Sequence, residues 1–142
     1  QEGGSIADRE YLKIIATDWE YRRNRFHFVG EYDYASIGLP TGFQGFLADS
    51  QQGYYVQTGY RFLTGLSSTF PQSSLTGIVR VGSVDFDTAT KGDSLRRVTL
   101  GLNFRPIEDT VFKFDYQINT EHDPLNVSTP GRAFLFSVAT YF

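Results

Sequence analysis

Between Thr110 and Asn119 the chain changes polarity at every residue. Phe112, Phe114, Tyr116 and Ile118 fall on one side of the alternation; Lys113, Asp115, Gln117 and Asn119 fall on the other. An extended strand turns successive side chains to opposite faces, whereas a helix repeats near every 3.6 residues. The segment therefore reads as a strand with one apolar and one polar face. The same period recurs. Val98, Leu100, Leu102 and Phe104 oppose Arg97, Thr99, Gly101, Asn103 and Arg105. Tyr54, Val56, Thr58, Tyr60 and Phe62 oppose Tyr55, Gln57, Gly59 and Arg61. Phe26, Phe28, Tyr32 and Tyr34 oppose Arg25, His27, Glu31 and Asp33. Near the start, Ile15, Thr17, Trp19 and Tyr21 oppose Ala16, Asp18 and Glu20. At the end, Phe134, Phe136, Val138, Thr140 and Phe142 oppose Leu135, Ser137, Ala139 and Tyr141. Leu75 to Phe86 is less regular, because Val84 and Phe86 have the opposite parity to Val79 and Val81. Either a bulge at Gly82–Ser83 restores the register, or Val84 and Phe86 turn to the polar face near the rim.

About seven strands of roughly ten residues follow, the length that a tilted strand needs to cross a bilayer. Their connectors alternate in length. Short ones fall at Arg22–Arg25, where Asn24 suits the left-handed conformation of a tight turn, and at Arg105–Asp109, where Pro106 is expected to stop the ladder. Leu63–Ser74 lies on the same side. Ala35–Gln52, Asp87–Ser94 and Thr120–Gly131 are longer and rich in Gly, Asp, Thr, Ser and Pro. Short turns on one rim and long loops on the other are the pattern of an outer-membrane barrel.

Composition narrows the function. Aromatic residues make up 16%, nearly all of them Phe (13) and Tyr (9). Such residues suit pleated surfaces and the girdles of membrane barrels. No apolar run approaches the ~20 residues of a membrane helix. Mean hydropathy is -0.29, a value compatible with a barrel because half of each strand faces a polar lumen. Net charge is -3 and no Lys/Arg run occurs, so nucleic acid is not an expected partner. The 142 residues contain no Cys, which excludes disulfides and thiolate metal sites, and no Met, which suits a processed product or fragment. Any signal peptide is expected to be gone already, since no charged segment followed by an apolar one opens the chain.

Alternation alone leaves two readings open. In a soluble sandwich or a lipocalin-like carrier the apolar face points into a core. In a transmembrane barrel it points at lipid. Charges of both signs at mid-strand, and aromatic residues concentrated near the short turns, favour the second. The polar positions Asp18, Glu20, His27, Glu31, Asp33, Gln57, Arg61, Arg80, Arg97, Asn103, Lys113, Asp115 and Gln117 then become candidates for lining a pore. Trp19, Phe28, Tyr60, Leu100, Phe112, Phe114 and Phe136 become candidates for facing lipid.

The terminal run Ala133-Phe134-Leu135-Phe136-Ser137-Val138-Ala139-Thr140-Tyr141-Phe142 resembles the C-terminal signal of Gram-negative outer-membrane proteins. Phe134, Phe136, Val138 and Phe142 match its apolar positions, and Thr140 departs from it. Leu100-Gly101-Leu102-Asn103-Phe104-Arg105-Pro106 with Thr110-Val111-Phe112-Lys113-Phe114-Asp115-Tyr116-Gln117 resembles the penultimate hairpin of porins, including the phosphate-selective porin-like group. The resemblance implies a location in the bacterial outer membrane. It also implies recognition by the barrel-assembly machinery, and contact with outer-membrane lipid and lipopolysaccharide. If the last strand ends at the periplasm, counting back through seven strands starts the chain outside the cell. Bacterial single-chain barrels have even strand numbers, so an odd count implies missing N-terminal strands of the same barrel, or another chain.

The expected architecture is therefore all-β: an antiparallel up-and-down transmembrane β-barrel with about seven strands present, the C-terminal part of a larger barrel of roughly 12–18 strands. Residues 1–142 make one partial barrel wall, and residues 1–9 a preceding extracellular loop or tail. The expected function is a porin-like channel wall for passive diffusion of small polar solutes. A non-conducting barrel that anchors or docks a larger assembly is the first alternative, motivated by Leu39, Phe43, Phe46 and Leu47 in a long loop. A soluble lipocalin-like carrier is the second.

No enzymatic constellation, cofactor or metal site is expected. Glu121-His122-Asp123 brings acids and a His into a loop, but loops are ordinarily polar. Asp85, Asp87 and Asp93 do not fit a calcium loop, which needs Gly at its sixth position where this chain has Thr90. Asn126-Val127-Ser128 matches a short glycosylation sequon, common by chance. Arg61, Arg80, Arg97 and Lys113 can line an anion path, balanced by the acids of the same face. The plainer reading has these charges pairing across strands to hold the wall.

Overall fold

A computed structural model describes residues 11–39, 47–66 and 68–141. It contains seven strands: β1 (Leu12–Arg23), β2 (Phe26–Ile37), β3 (Ser50–Thr64), β4 (Ser74–Asp85), β5 (Ser94–Ile107), β6 (Thr110–His122) and β7 (Ser128–Thr140). They form one antiparallel sheet in the order β1 to β7, with β1 and β7 as its open edges. The expected all-β up-and-down meander is present, and the sheet is not closed into a barrel. Among the described residues no second layer covers it. Val111, 3% exposed, is the one buried apolar side chain among the described residues.

Directly opposed residues in an antiparallel pair share a face. One row runs Phe134, Tyr116, Leu100, Val79, Thr58, Phe28, Tyr21 across all seven strands. The neighbouring row on the other face runs Leu135, Asp115, Gly101, Ile78, Gly59, His27, Arg22. The period-two pattern of each separate strand thus merges into two continuous faces. Rings touch along the aromatic one. Tyr116 lies 4.6 Å from Phe134, Phe114 4.9 Å from Phe136, and Phe26 4.6 Å from Tyr60, centroid to centroid.

The structure decides between the two readings of Leu75 to Phe86, and it corrects several other local expectations. The register passes unbroken through Gly82 and Ser83, which oppose Tyr55 and Tyr54, so no bulge lies there. Val84 instead joins the polar face, between Gly53 and Leu95, and Phe86 lies just beyond β4. The irregularity is displaced to β3, between Arg61 and Leu63, and it leaves Phe62 beside Gly77 on the aromatic face. Pro106 does not stop the ladder. β5 continues to Ile107, because the register shifts between Phe104 and Ile107 and spares the missing N–H a ladder bond. The first tight turn is Asn24–Arg25, closed by the Arg23/Phe26 pair, with Asn24 at φ 54°. β6 and β7 extend further than the alternation alone suggests, which leaves Asp123–Val127 as their turn. There Asp123 Oδ1 accepts the N–H groups of Leu125 and Val127 at 3.0 and 2.8 Å. Pro130 is tolerated opposite Thr120 because β7 is an edge strand.

The long connectors also touch one another. Asp93 N–H donates to the Asp123 carbonyl at 3.0 Å, and Thr88 N–H to the Ser50 carbonyl at 3.1 Å. Gly92, at φ 110°, packs so closely that a Cβ would run into the Asp123 carbonyl oxygen. Gly92→Ala should therefore cost ~1–3 kcal/mol of folding free energy. Gly53→Ala, whose Cβ would meet Val84 at an ordinary 3.5 Å, should cost less. Urea titration of both variants folded in detergent measures the difference, and equal midpoints would contradict the packing described.

Candidate functional site

All thirteen polar candidates share one face. Asp18, Glu20, His27, Glu31 and Asp33 lie on β1 and β2; Gln57, Arg61 and Arg80 on β3 and β4; Asn103, Arg97, Lys113, Asp115 and Gln117 on β5 and β6. This face is the inside of a curve. A hollow of about 410 Å³ is lined by side chains from Asp33 on β2 to Gln117 on β6. A second, of about 670 Å³, lies toward the short turns and includes His27, Arg61, Asn103 and Lys113. Crowding agrees with the curl: a Cβ on Gly101 would come within 3.2 Å of Ile78 Cβ, and one on Gly82 within 3.1 Å of Tyr55 Cβ. Exposure is inverted relative to a soluble sheet. Thr99, on the polar face, is 7% exposed, while its neighbour Leu100, on the aromatic face, is 47% exposed.

The charges on the inner face are partly sorted. Asp18, Glu20, Glu31 and Asp33 gather on β1 and β2, and Arg61, Arg80, Arg97 and Lys113 on β3 to β6, with Asp115 among the latter. Among the described residues the ion pairs are confined to Glu20, whose Oε1 meets Arg22 Nε at 2.6 Å and His27 Nε2 at 2.7 Å. His27 and Glu20 thus meet across the tight turn that joins β1 and β2. The basic residues are held differently. Arg80 donates to Gln57 Oε1 from Nε (2.9 Å) and from Nη2 (2.6 Å), and its guanidinium sits 4.8 Å from the Tyr55 ring centroid. Arg97 Nε donates to Asn119 Oδ1 at 2.8 Å. Both arginines do pair across strands, but with neutral amides, so their charge is oriented without being neutralised. Tyr55 and Asn119 were absent from the candidate set, although their parity places them on this face.

The other face carries Trp19, Phe28, Tyr60, Leu100, Phe112, Phe114, Phe134, Phe136 and Val138. Phe142 lies outside the described residues, as do residues 1–9, Phe43 and Phe46. Leu47 is exposed and Leu39 half-buried. Along this face the strands carry no charge between their ends except at the edges of the apolar band. That band slopes. On β7 its limit toward the long loops is Phe134, in register with Tyr21 on β1 through the row given above. On β1 itself the limit is Ile15, six residues further on (21 - 15 = 6) across six strand gaps (7 - 1 = 6). The limit toward the short turns moves four residues, from the Tyr21 row to Val138 (138 - 134 = 4). With ~3.3 Å per residue and ~4.8 Å per gap, the strands cross the band at roughly 25–35°.

The remaining candidates do not assemble into a reactive site. Glu121 and His122 are consecutive residues of β6 and face opposite sides, and Asp123 is engaged in its turn. Asp85 and Asp87 accept hydrogen bonds from the N–H groups of Asp87 and Ala89 at 3.2 and 3.0 Å. No group of three or more His, Cys, Asp or Glu suited to a metal occurs among the described residues. No family model, curated protein or solved structure matches the chain.

The natural chain has no cysteine, so single thiols report each face cleanly. In detergent, Lys113→Cys and Asp115→Cys should react readily with a charged maleimide, and Leu100→Cys and Phe114→Cys slowly. Equal rates would mean that detergent does not cover the aromatic face.

Proposed function

We propose that this chain is part of the wall of an outer-membrane β-barrel through which small polar solutes diffuse. The observation that carries the reading is the inverted curl, with charged and amide side chains on the concave side and a charge-free aromatic band on the convex side. Lipid offers no hydrogen bonds, so a wall facing it must be apolar outside and satisfy its backbone from strand to strand. Every strand is 12 to 15 residues long, enough for the ~9–11 residues a membrane strand requires. The band slope of roughly 25–35° approaches the 35–45° tilt of such barrels. Tyr21, Phe26, Tyr60, Phe62, Phe104 and Phe112 gather toward the short turns, and Tyr34 and Tyr54 toward the long loops, as interfacial girdles require. A lipocalin-like carrier would need the opposite curl.

A wall of this kind must close. β1 and β7 run in the same direction, so an all-antiparallel closure needs an odd number of further strands, from the same barrel or another chain. The solute path is then the concave face. Its oriented arginines and polar-lined hollows suit polar solutes, and the amide partners leave positive charge available to anions.

Trp19 is the only tryptophan and lies on the outer band, its ring laid over Gly30. In lipid vesicles its fluorescence should be quenched by brominated acyl chains and shielded from aqueous iodide. The reverse pattern would defeat the membrane reading. Leu100→Arg should weaken insertion by ~2–4 kcal/mol, whereas Ser137→Arg, at an exposed inward position, should be tolerated far better. Channel function is tested separately, by planar-bilayer recording of the protein with its wall closed. Stepwise conductance is expected, and a folded, inserted protein that never conducts would leave only an anchoring or docking barrel.

A further inference from the structure

The cations of the aromatic face are not scattered. Lys13, Arg96 and Arg132 each occupy the first same-face position beyond the apolar band on their own strand, after Ile15, Val98 and Phe134. Read along the backbone ladder, Arg132 stands level with Ile118, Val98 and Val81 and looks misplaced among apolar residues. The slope of the band lifts it to the long-loop rim, beside Arg96. The two arginines are separated by β6, two strand spacings across and two residues along, or about 12 Å between Cα atoms. Above Arg96 a hollow of about 960 Å³ opens on the same face, lined by Arg96, Lys91, His122, Tyr32, Tyr54 and Asp85 among others. Asp85 is the one carboxylate on this face of the strands. Among the described residues it makes no ion pair with Arg96 or Lys91. The opposite rim carries Arg23 alone at the corresponding position.

We propose that Arg96, Arg132 and Lys91 hold the phosphorylated headgroup of a lipid in the leaflet on the long-loop side. This rests on the membrane reading. A guanidinium at the edge of an apolar band keeps its stem against acyl chains and its head at the level where lipid phosphates lie. Its planar fork matches phosphate oxygens with two parallel hydrogen bonds. Two arginines about 12 Å apart, with a lysine and a polar hollow above one of them, suit a broad headgroup that bears more than one phosphate better than a single free anion. The restriction of the cluster to one rim makes the site specific to one leaflet.

The test uses the full chain folded into phosphatidylcholine vesicles doped with bis-phosphorylated lipid A, then extracted in mild detergent. Retained lipid A is counted by mass spectrometry, and insertion is followed by Trp19 quenching. The unaltered chain should retain lipid A and exclude its dephosphorylated form. The double variant R96Q/R132Q should bind roughly 25-fold more weakly, about fivefold for each cation lost at an anionic surface. R97Q, adjacent in sequence but on the inner face, should bind as the unaltered chain does. If the double variant fails to insert, K91Q and R132Q singly should each show the fivefold loss. Undiminished retention by inserted variants, equal retention of the dephosphorylated lipid, or displacement by inorganic phosphate would overturn the headgroup site and leave the membrane reading standing. A protein with its wall closed that inserts into vesicles of neither lipid form overturns both.

Discussion

The backbone ladder between neighbouring strands is the interaction on which everything else here depends. A sheet with a single buried apolar side chain among its described residues has no core there to hold it. Its cohesion comes from six antiparallel ladders and from cross-strand side-chain pairs. In water such a sheet would expose Phe134, Phe136 and Leu100 on one whole face, against the rule that large contiguous apolar patches on a soluble surface mark a contact. The ladder is also what a hydrocarbon environment demands, since each unpaired N–H or C=O there is costly. On the proposed membrane reading, lipid against the convex side would account for both facts at once.

Much of the architecture is legible in the sequence because side-chain parity in a strand is a strict period of two. Seven alternating segments suffice to count the strands, and every polar candidate lands on one face because each strand turns its polar set to the same side of the sheet. What parity cannot carry is irregularity. Phe62 and Pro106 sit where the register shifts, and each looks locally like an ordinary strand residue or a stop. Strand ends are likewise obscure. Thr120–His122 and Ser128–Gly131 read as loop from composition, but they pair above the apolar band, where polar strand residues face water.

The direction of curl is a different kind of information. Alternation gives two faces but not which one is concave, and the choice decides between a soluble carrier and a membrane wall. Glycine placement carries a usable signal. Gly53, Gly59, Gly82, Gly101 and Gly131 all fall on the polar face, against Gly30 and Gly77 on the aromatic one. Side chains on the inside of a curve converge, and Gly82 and Gly101 make room there for Tyr55, Asp115 and Ile78, while Gly30 on the outer face makes room for the Trp19 ring. The large rings fan apart on the outside, where Phe134 and Phe136 remain open.

The slope of the band ties these levels together. A row of opposed residues runs perpendicular to the strands, whereas on the proposed reading a membrane would cut the sheet in a plane of its own. If the strands stood upright, the two directions would coincide and each apolar limit would follow a single register row. Instead the limit toward the long loops climbs from Phe134 on β7 to Ile15 on β1, one residue per strand. The climb turns residues that share a row into residues at different depths, so Trp19 and Arg132, six strand spacings apart in one row, occupy the interior and the rim of the same band. On the concave side the same geometry spreads the charges of β1 to β6 over the full height of the wall. Arg80 and Arg97 then stand at successive depths on adjacent strands, each oriented by an amide across the ladder. A solute moving along the concave side would meet them one after the other, because strand tilt, set by the register, converts neighbours across the sheet into steps along the path.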